Sequence, residues 1–417
     1  MEKKKDVLFL CQYFYPEYIS SATLPFDTAM ALVESGLSVG TLCGYPREYS
    51  LSHDVPLQEE YKNIKIKRLR YIQLKRSSTF GRLLNFLSFT LVAALNFGEL
   101  RKYKVAIVYS DPPVLPLLAA LAQKLFNTKV VFVSYDIYPE IAYATKSISK
   151  NGMLGRTMKW VNKVVFKNLT KVVALSNEMK ECILSLRPEI SSEQVEVIPN
   201  WFEKDSSANH KDPEDNPLFK SIKRDHKFIV SYFGNMGTCQ DIETIIEAIL
   251  LLKQDNDVHF LFAGHGNKVG KLRNIINREG LRNVTLFGFL HDKDYADALN
   301  ISDCFLVTLA EGITGLGVPS KTYSYMSAGK PIIAIIGEES DIANDLKYNN
   351  AGFVFQVGES NKLASALKKL RNNKCLQKTM GDNSRSLFLD KYTKERCTDQ
   401  YVDLVSGILE DEKYVQG

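Results

Sequence analysis

The chain has 417 residues, of which 45% are hydrophobic and 24% charged. This is ordinary globular composition for about two domains, and it excludes a disordered chain, a collagen-like fibre and a small disulfide scaffold. The net charge of +5 is too small to indicate nucleic-acid binding, but it is unevenly divided. Residues 1–200 contain 26 basic and 18 acidic side chains, a net of +8, whereas the remainder contains 27 and 30, a net of −3.

The first residues are charged and lead directly into the apolar run 7–14. This run is too short for the core of a signal peptide, so we predict a buried first strand. The seven cysteines are scattered and include no C-x-x-C pair, which favours neither a zinc site nor a disulfide framework. A reducing cytoplasm is the expected compartment.

Residues 83–97 read LLNFLSFTLVAALNF, a stretch shorter than the roughly 20 apolar residues of a membrane-spanning helix. Basic residues flank it on both sides: Lys75, Arg76, Arg82, Arg101 and Lys102. Two interpretations are open at this point. The stretch is either a buried core helix or a helix that lies in a membrane interface, anchored by its basic flanks.

Short apolar, β-branched runs alternate with helical patterns along the chain, which predicts an α/β fold of doubly wound parallel sheets. The first series of runs comprises residues 7–14, 39–44, 64–72, 105–110, 130–136, 172–176 and 195–199. The second series comprises residues 228–234, 259–264, 284–289, 304–309, 332–336 and 353–357.

The polar, proline-containing stretch between the two series is typical of a linker. We therefore predict two Rossmann-like domains, residues 1–202 and 227–389, joined by the linker 203–226 and followed by a C-terminal helix within residues 390–417. Parallel sheets of this kind bind ligands at the carboxyl ends of their strands. Site residues are accordingly expected in the loops that follow the strands.

Four residues of the first domain are candidates by this criterion. Ser20 and Ser21 follow the first strand, where either can cap the next helix and where small side chains let a ligand approach the backbone; a plain strand-to-helix turn is the alternative. Asp136 stands at the carboxyl end of the run 130–136 and is a candidate general base. Glu140 is either a second such carboxylate or an ordinary charge at a helix N-terminus.

In the second domain, the turn Gly234-Asn235-Met236-Gly237 follows a strand and precedes a helical pattern. Backbone N–H groups of Asn235 and Gly237 are expected to face a phosphate there. Neither this turn nor Gly264-His265-Gly266 matches G-x-G-x-x-G, so NAD binding is not supported.

The most informative stretch reads EGITGLGVPSKTYSYM and follows the strand 304–309. Gly312, Gly315 and Gly317, together with Thr314, predict a flexible polar loop, and Ser320 is expected to cap the helix that follows.

Lys321 lies in the first turn of that helix, where a cation opposes the helix dipole. A bound diphosphate would explain its position, since backbone N–H groups, the Ser320 hydroxyl and Lys321 would stabilise it together; a solvated lysine is the alternative. The six histidines form no H-x-x-x-H pair, and the Asp pairs lie before a strand or at a helix start. We therefore expect no essential metal.

Motifs distributed over nearly the whole chain carry a resemblance to a known family. They are YPE at 15–17, RLLNFLSF at 82–89, DIYPE at 136–140, LSNEM at 175–179, VIPNW at 197–201, GNMG at 234–237, VPSK at 318–321 and YMSAGKP at 325–331. The chain resembles the GT-B glycosyltransferases of family 4. Within that family it is similar to the bacterial capsule and O-antigen branch of fucosamine- or N-acetylaminosugar-transferase-like enzymes.

The resemblance implies a retaining, metal-independent glycosyltransferase of hexosyl or N-acetylhexosaminyl type. Its donor would be a nucleotide-sugar held by the second domain. We expect this donor to be UDP-linked and its sugar to be N-acetylated. Its acceptor would be a saccharide linked to polyprenyl diphosphate, held by the first domain. Because the nucleotide-sugar is a substrate, no cofactor is implied. The final helix is expected to return to the first domain.

The leaving diphosphate is expected to be stabilised by Ser320, Lys321 and the backbone of Gly315, Leu316 and Gly317, with Asn235 and Gly237 assisting and Thr314 in the same donor loop. The resemblance implies that the Phe289 backbone contacts the nucleobase and that Ser324 stands where the family binds the donor ribose. Acceptor binding is assigned to Ser20, Ser21, Asp136 and Glu140. Catalysis is assigned to Asp136, acting on the acceptor hydroxyl, and to Lys321, acting on the diphosphate. The family usually carries E-x7-E before its A-G-x-P element, whereas Leu316 and Ser324 stand at those two positions here.

Other functions remain open. A sugar-nucleotide 2-epimerase shares the fold, but such enzymes keep acidic residues and histidines for proton chemistry, and this chain shows few. The lost carboxylates also permit a non-catalytic sugar-binding or scaffold protein. The basic first half, with its apolar stretch 83–97, favours peripheral association with the inner face of the cytoplasmic membrane, where a lipid-linked acceptor would lie.

Overall fold

The computed structural model of the chain describes residues 4–46, 50, 54–74, 79–203, 216–217, 219–223 and 227–416. Most of the predicted linker, and the basic residues Lys75 and Arg76, lie outside these described residues. The chain divides into two compact units: Met1–Pro199 together with Glu395–Gly417, and Asn200–Lys394.

Fourteen strands are described. They are β1 Lys5–Cys11, β2 Val39–Gly44, β3 Gln58–Tyr61, β4 Ile64–Leu69, β5 Tyr103–Tyr109, β6 Lys129–Val133, β7 Lys171–Ala174, β8 Val195–Val197, β9 Phe228–Phe233, β10 Val258–Ala263, β11 Val284–Phe287, β12 Cys304–Thr308, β13 Ile332–Ile335 and β14 Gly352–Phe355.

Fifteen α-helices are described with them. They are α1 Ser20–Glu34, α2 Thr79–Leu95, α3 Pro116–Phe126, α4 Glu140–Ala144, α5 Met153–Phe166, α6 Asn177–Leu186, α7 Lys220–Lys223, α8 Glu243–Leu251, α9 Val269–Glu279, α10 Asp292–Ile301, α11 Lys321–Ser327, α12 Asp341–Tyr348, α13 Ser360–Arg371, α14 Lys374–Lys391 and α15 Lys394–Gln416. Short 3-10 helices span Phe97–Lys102 and Ser192–Gln194.

The first unit is built on an eight-stranded sheet in the order β3-β4-β2-β1-β5-β6-β7-β8. Every pairing is parallel except that of β3 with β4. The sequence did not predict β3, because its residues QEEY are polar and half-exposed at the sheet edge, and so lack an apolar signal. The strands β1 and β5 pair side by side although β2 to β4 lie between them in the chain.

The second unit is built on a six-stranded parallel sheet in the order β11-β10-β9-β12-β13-β14. Its strands are buried along their length in β9, β10, β12 and β13, as expected of a sheet covered by helices on both faces. The two parallel sheets with their helices confirm the predicted α/β, doubly wound architecture. Among the residues that the structure describes, no helix is both long and apolar enough to cross a membrane.

Candidate active site

The point where the second sheet reverses its winding direction lies between β9 and β12. From β9 the chain moves outward to β10 and β11, whereas from β12 it moves the other way to β13 and β14. Crevices at such points, beyond the carboxyl ends of the strands, are the usual ligand sites of open α/β sheets. The loop that follows β9 contacts the loop that follows β12, because the Ala310 N–H donates to the Cys239 carbonyl at 2.8 Å.

Lys321, the first residue of α11, is the central cation of this site. Its Nζ donates to the Tyr232 hydroxyl at 2.5 Å and lies 3.9 Å from the centroid of the Tyr232 ring. The Tyr232 hydroxyl in turn donates to the Asn235 carbonyl at 2.7 Å. A phenol has one proton to give and lone pairs to receive, so this chain of hydrogen bonds is satisfied in one direction.

The environment of Lys321 disfavours its charge. Burial lowers the pKa of the Lys321 ammonium to about 7, since water is removed from around the cation. An ammonium has three donors, and Tyr232 accepts one of them. An anion placed within reach would favour the charged form and raise the pKa again. The site is therefore suited to an anionic ligand.

Gly234 makes room beside this lysine. A Cβ atom at residue 234 would lie 3.4 Å from both Cε and Nζ of Lys321, and the backbone there has φ of +125°. This left-handed conformation favours glycine. A larger residue would be strained and would press on the Lys321 side chain.

The turn after β9 is also held by the turn after β10. The Gly234 N–H donates to the Ala263 carbonyl at 2.8 Å, and the Met236 N–H donates to the His265 carbonyl at 2.7 Å. A Cβ at Gly264 would lie 2.0 Å from the Gly234 carbonyl oxygen. The glycines at 264 and 266 thus serve backbone packing, which agrees with the absence of a dinucleotide fingerprint.

Tyr325, four residues after Lys321 in α11, holds this helix against the sheet. The Tyr325 hydroxyl accepts from the Phe233 N–H at 2.7 Å and donates to the Phe233 carbonyl at 3.0 Å. Its ring stacks on Phe305 at 4.2 Å. These contacts tie α11 to the end of β9 and to β12, and so fix the start of α11 against the turn after β9.

Ser324, which stands where the family usually has its second glutamate, is buried. Its hydroxyl donates to the Lys321 carbonyl at 2.8 Å and lies 2.7 Å from the Tyr295 hydroxyl. Tyr295, on α10, was missed by the sequence analysis because no local pattern pairs it with a residue 29 positions away. Burial raises the pKa of Tyr295 to about 12, so this phenol stays neutral.

The remaining predicted donor residues differ in solvent exposure. Gly315, Leu316 and Gly317 are buried in the loop after β12, whereas Thr314 is half-buried. Ser320 is exposed and makes no capping hydrogen bond to α11, so the predicted cap is wrong. Its backbone is already helical, with φ −57° and ψ −24°, whereas a capping residue is normally extended.

Backbone groups of the turn residues Asn235 and Gly237 already have hydrogen-bond partners. Asn235 is exposed, and its carbonyl is engaged by Tyr232. The Gly237 N–H donates to the Gln240 side-chain oxygen at 3.1 Å. A phosphate at this turn would have to displace Gln240 to reach that N–H group.

Phe289 lies beyond the carboxyl end of β11, in an exposed group of rings. It is 48% exposed, and its ring centroid lies 4.6 Å from that of His291 and 6.0 Å from that of His265. Flat rings of this kind provide a surface on which a nucleobase can stack. Phe289 was predicted from the sequence without the two histidines: His291 follows it in the same loop, and His265 approaches from the end of the neighbouring strand β10.

In the first unit, Asp136 follows β6, on the loop beside the end of β5. The Ser110 hydroxyl accepts from the Asp136 N–H at 3.3 Å, and the Ser134 hydroxyl donates to the Asp136 carbonyl at 3.3 Å. Burial, and then the neighbouring Asp111, raise the pKa of the Asp136 carboxyl to about 7. A carboxylate that titrates near neutral pH is suited to general-base work. Asp136 also lines a cavity of about 20 Å³, enough for one water molecule.

The other predicted acceptor residues have structural partners or exposed positions. Both Glu140 oxygens accept from the Arg187 guanidinium, at 2.9 and 2.6 Å, and Arg187 also donates to the Tyr138 carbonyl at 3.0 Å. Glu140 thus holds the turn that carries Asp136. Ser20 is exposed and Ser21 half-buried at the start of α1, whose capping residue is Ile19 with no side-chain bond. The predicted serine cap is wrong.

Within the part of the chain that the structure describes, no three His, Cys, Asp or Glu side chains lie close enough together to hold a metal ion.

Two family models match the chain. The model described as Glycosyltransferase Family 4 matches residues 26–205, and the model described as Glycosyl transferases group 1 matches residues 214–387. One model therefore falls on each unit, and together they span most of the chain.

Two similar proteins are also named as glycosyltransferases. The chain is 24% identical over 315 residues to the probable glycosyltransferase WbjE of Pseudomonas aeruginosa, covering 75% of this chain and 77% of that protein. It is 25% identical over 261 residues to the putative colanic acid biosynthesis glycosyl transferase WcaI of Escherichia coli K12. That match covers 61% of this chain and 63% of WcaI, slightly less than two thirds.

A solved structure shows the same fold. Anabaena Alr3699/HepE, crystallised in complex with UDP, matches with a TM-score of 0.72 and 17% sequence identity, over 96% of this chain and 100% of that one.

Proposed function

Since the chain belongs to the GT-B glycosyltransferases of family 4, we propose that it transfers a sugar from a UDP-linked donor to a lipid-linked saccharide in surface polysaccharide synthesis. The observation that carries the proposal is the Lys321–Tyr232 pair at the reversal point of the second sheet. It is a half-buried cation beside a glycine turn, at the place where α/β sheets bind ligands. The relatives WbjE and WcaI, and the UDP bound to HepE, support the same assignment.

In the proposed reaction, the bond between the sugar C1 and the diphosphate oxygen breaks, and its electron pair stays on the nucleoside diphosphate. Lys321 stabilises this developing charge without a metal ion, as a preorganised cation in a partly dry site does. The acceptor hydroxyl oxygen forms the new bond to C1, and its proton passes to the Asp136 carboxylate. The resemblance to the family favours retention of the anomeric configuration.

Phe289, with His265 and His291, would receive the base of the donor. The Gly315–Gly317 backbone would bind the diphosphate together with Lys321, and the donor ribose would lie near Ser324. The transferred sugar would be of hexosyl or N-acetylhexosaminyl type. The acceptor, a saccharide on polyprenyl diphosphate, requires peripheral association with the membrane, and the predicted interfacial stretch 83–97 lies in the first unit together with Asp136.

The test is a panel of UDP- and GDP-sugars incubated with membrane extract, in which nucleotide release and the mobility of the lipid product are followed. We expect release with one donor, and its loss in Lys321→Met. Lys374→Met, which removes an exposed lysine of the second unit, is the matched control. Transfer that is unaffected by Lys321→Met contradicts the diphosphate role of this lysine.

The same panel separates two other functions. A donor that is isomerised without acceptor would indicate a sugar-nucleotide 2-epimerase. Sugar binding without nucleotide release from any donor would indicate a non-catalytic member, which Leu316 and Ser324 in place of the two family carboxylates would explain.

A further inference from the structure

Three helices of the first unit share one face of its sheet. The connections that contain α2, α3 and α5 lead from β4 to β5, from β5 to β6 and from β6 to β7, so all of them advance across the sheet in the same direction. Right-handed crossovers place such helices on the same side. The helices are neighbours: the 3-10 segment Phe97–Lys102 contacts both α2 and α3, and α3 contacts α5.

The outer side of α2 is a row of leucines. Leu83, Leu87, Leu91 and Leu95 are spaced by four residues, and they are 43%, 51%, 64% and 80% exposed. The opposite side of the helix, represented by Phe89, is fully buried. Residues four apart line one stripe of a helix, so the exposed leucines form a continuous apolar ridge.

The outer side of α5 is basic and carries an aromatic ring. Trp160 is 62% exposed, and Met153 at the start of the helix is 87% exposed. Arg156, Lys159 and Lys163 surround Trp160 at exposed positions. Within the described part of the chain, these three cations have no carboxylate partner.

The charges on these three helices have a single sign. The sequences of α2, α3 and α5 contain Arg82, Lys124, Arg156, Lys159 and Lys163, and no Asp or Glu. The acid of the connecting 3-10 segment, Glu99, is paired with Lys67 at 3.0 Å and with Lys102 at 2.9 Å.

We propose that the exposed sides of α2, α3 and α5 form one surface that binds an anionic lipid bilayer, with the α2 leucines entering the headgroup region and the α5 cations contacting lipid phosphates. Apolar side chains beside lysines and arginines, with a tryptophan at the boundary, match the two layers of a membrane interface. A protein partner of negative charge would not need the four-leucine ridge. This inference deepens the membrane contact of the proposed function, but its test does not depend on transferase activity.

The experiment is co-sedimentation of the full chain with vesicles of phosphatidylcholine alone, or of equal parts phosphatidylcholine and phosphatidylglycerol. We expect binding to the anionic vesicles that weakens strongly between about 0.1 M and 1 M salt, because the screening length falls from roughly 10 Å to 3 Å.

Variants divide the surface into its parts. Arg156→Gln, Lys159→Gln and Lys163→Gln combined should weaken partitioning into anionic vesicles about 100-fold. Trp160→Ser should weaken it about tenfold. The matched control replaces three exposed cations of the second unit: Arg273→Gln, Lys368→Gln and Lys374→Gln. Circular dichroism establishes that each variant is folded.

Several outcomes overturn the proposal. The proposal fails if the wild-type protein does not bind anionic vesicles, or if the α5 triple variant binds them as strongly as the wild type does. It also fails if the control triple variant loses as much vesicle binding as the α5 triple variant. A dimer in solution that Leu87→Gln and Leu91→Gln disrupt would assign the ridge to a second copy instead. Nucleotide release in detergent should survive the α5 triple; its absence in the wild type would refute the proposed function and leave the membrane surface standing.

Discussion

Binding of a nucleoside diphosphate should change the protonation of Lys321, and this gives the sharpest test of the site. With a pKa of about 7 in the free protein, the lysine is about 90% charged at pH 6 and about 10% charged at pH 8. A bound diphosphate favours the charged form. Binding should therefore take up about half a proton at pH 7 and about 0.9 proton at pH 8.

The affinity should follow the same titration. If only the charged lysine binds, the dissociation constant rises about tenfold between pH 6 and pH 8 beyond the change due to the ligand's own phosphate. Lys321→Met removes a charge-assisted hydrogen bond worth about 1.5–3 kcal/mol, so its affinity at pH 6 should be about 10- to 150-fold lower than that of the wild type. The variant should also lose the proton uptake.

Isothermal titration calorimetry in two buffers of different ionisation enthalpy measures both quantities with the nucleoside diphosphate that the donor panel identifies. Lys321→Arg keeps a cation that does not titrate in this range, so it should bind without proton uptake. Lys374→Met controls for the loss of one positive charge. Equal proton uptake by wild type and Lys321→Met would refute the assignment, because the titrating group would then lie elsewhere.

The remaining predictions concern the groups around the two centres. Tyr232→Phe keeps the ring beside Lys321 but removes its hydroxyl acceptor, so diphosphate affinity should fall about tenfold in the same calorimetry; unchanged affinity would show that the phenol does not position the lysine. Asp136→Asn should lower kcat about 10²- to 10⁴-fold with donor affinity unchanged, and an unaltered rate would remove Asp136 from the chemistry. The wild-type rate should fall below pH 7, since burial raises the pKa of Asp136 to about 7 and the base must be ionised. Arg187→Met leaves Glu140 without its partner and should lower the free energy of unfolding by about 3 kcal/mol in urea denaturation. A loss of stability no larger than that caused by replacing an exposed arginine with methionine would contradict a structural role for the pair.

The sequence predicted most of the fold because buried parallel strands leave a strong local signal. Runs such as 39–44 and 228–234 coincide closely with β2 and β9. The edge strand β3 was missed because its side chains are charged or polar and alternate between exposed and half-buried positions, which leaves no apolar run. Such a strand is defined by hydrogen bonds to its neighbour, which a single sequence does not display.

The candidate site was predictable only where chemistry is local. Lys321 was found because a glycine-rich loop leads directly into its helix. Tyr232 lies 89 residues earlier and reads as an ordinary strand residue, so its contact with the lysine required the sheet order. The predicted caps at Ser20 and Ser320 were wrong for a related reason. Both serines are common capping residues, but the helical backbone already includes Ser20 and, by its dihedral angles, Ser320.

The placement of Lys321 accounts for its proposed task. Burial and the N-terminal end of a helix both disfavour a positive charge. The Tyr232 ring and hydroxyl hold the side chain in position without supplying a negative charge that would neutralise it. A lysine paired with a carboxylate would be charged before the ligand arrived, and the ligand would have to compete with that carboxylate. Here the pKa of Lys321 in the free site lies near neutral pH, so an arriving anion would complete its protonation, and in the proposed reaction the charge would be fully present when the glycosyl–phosphate bond breaks.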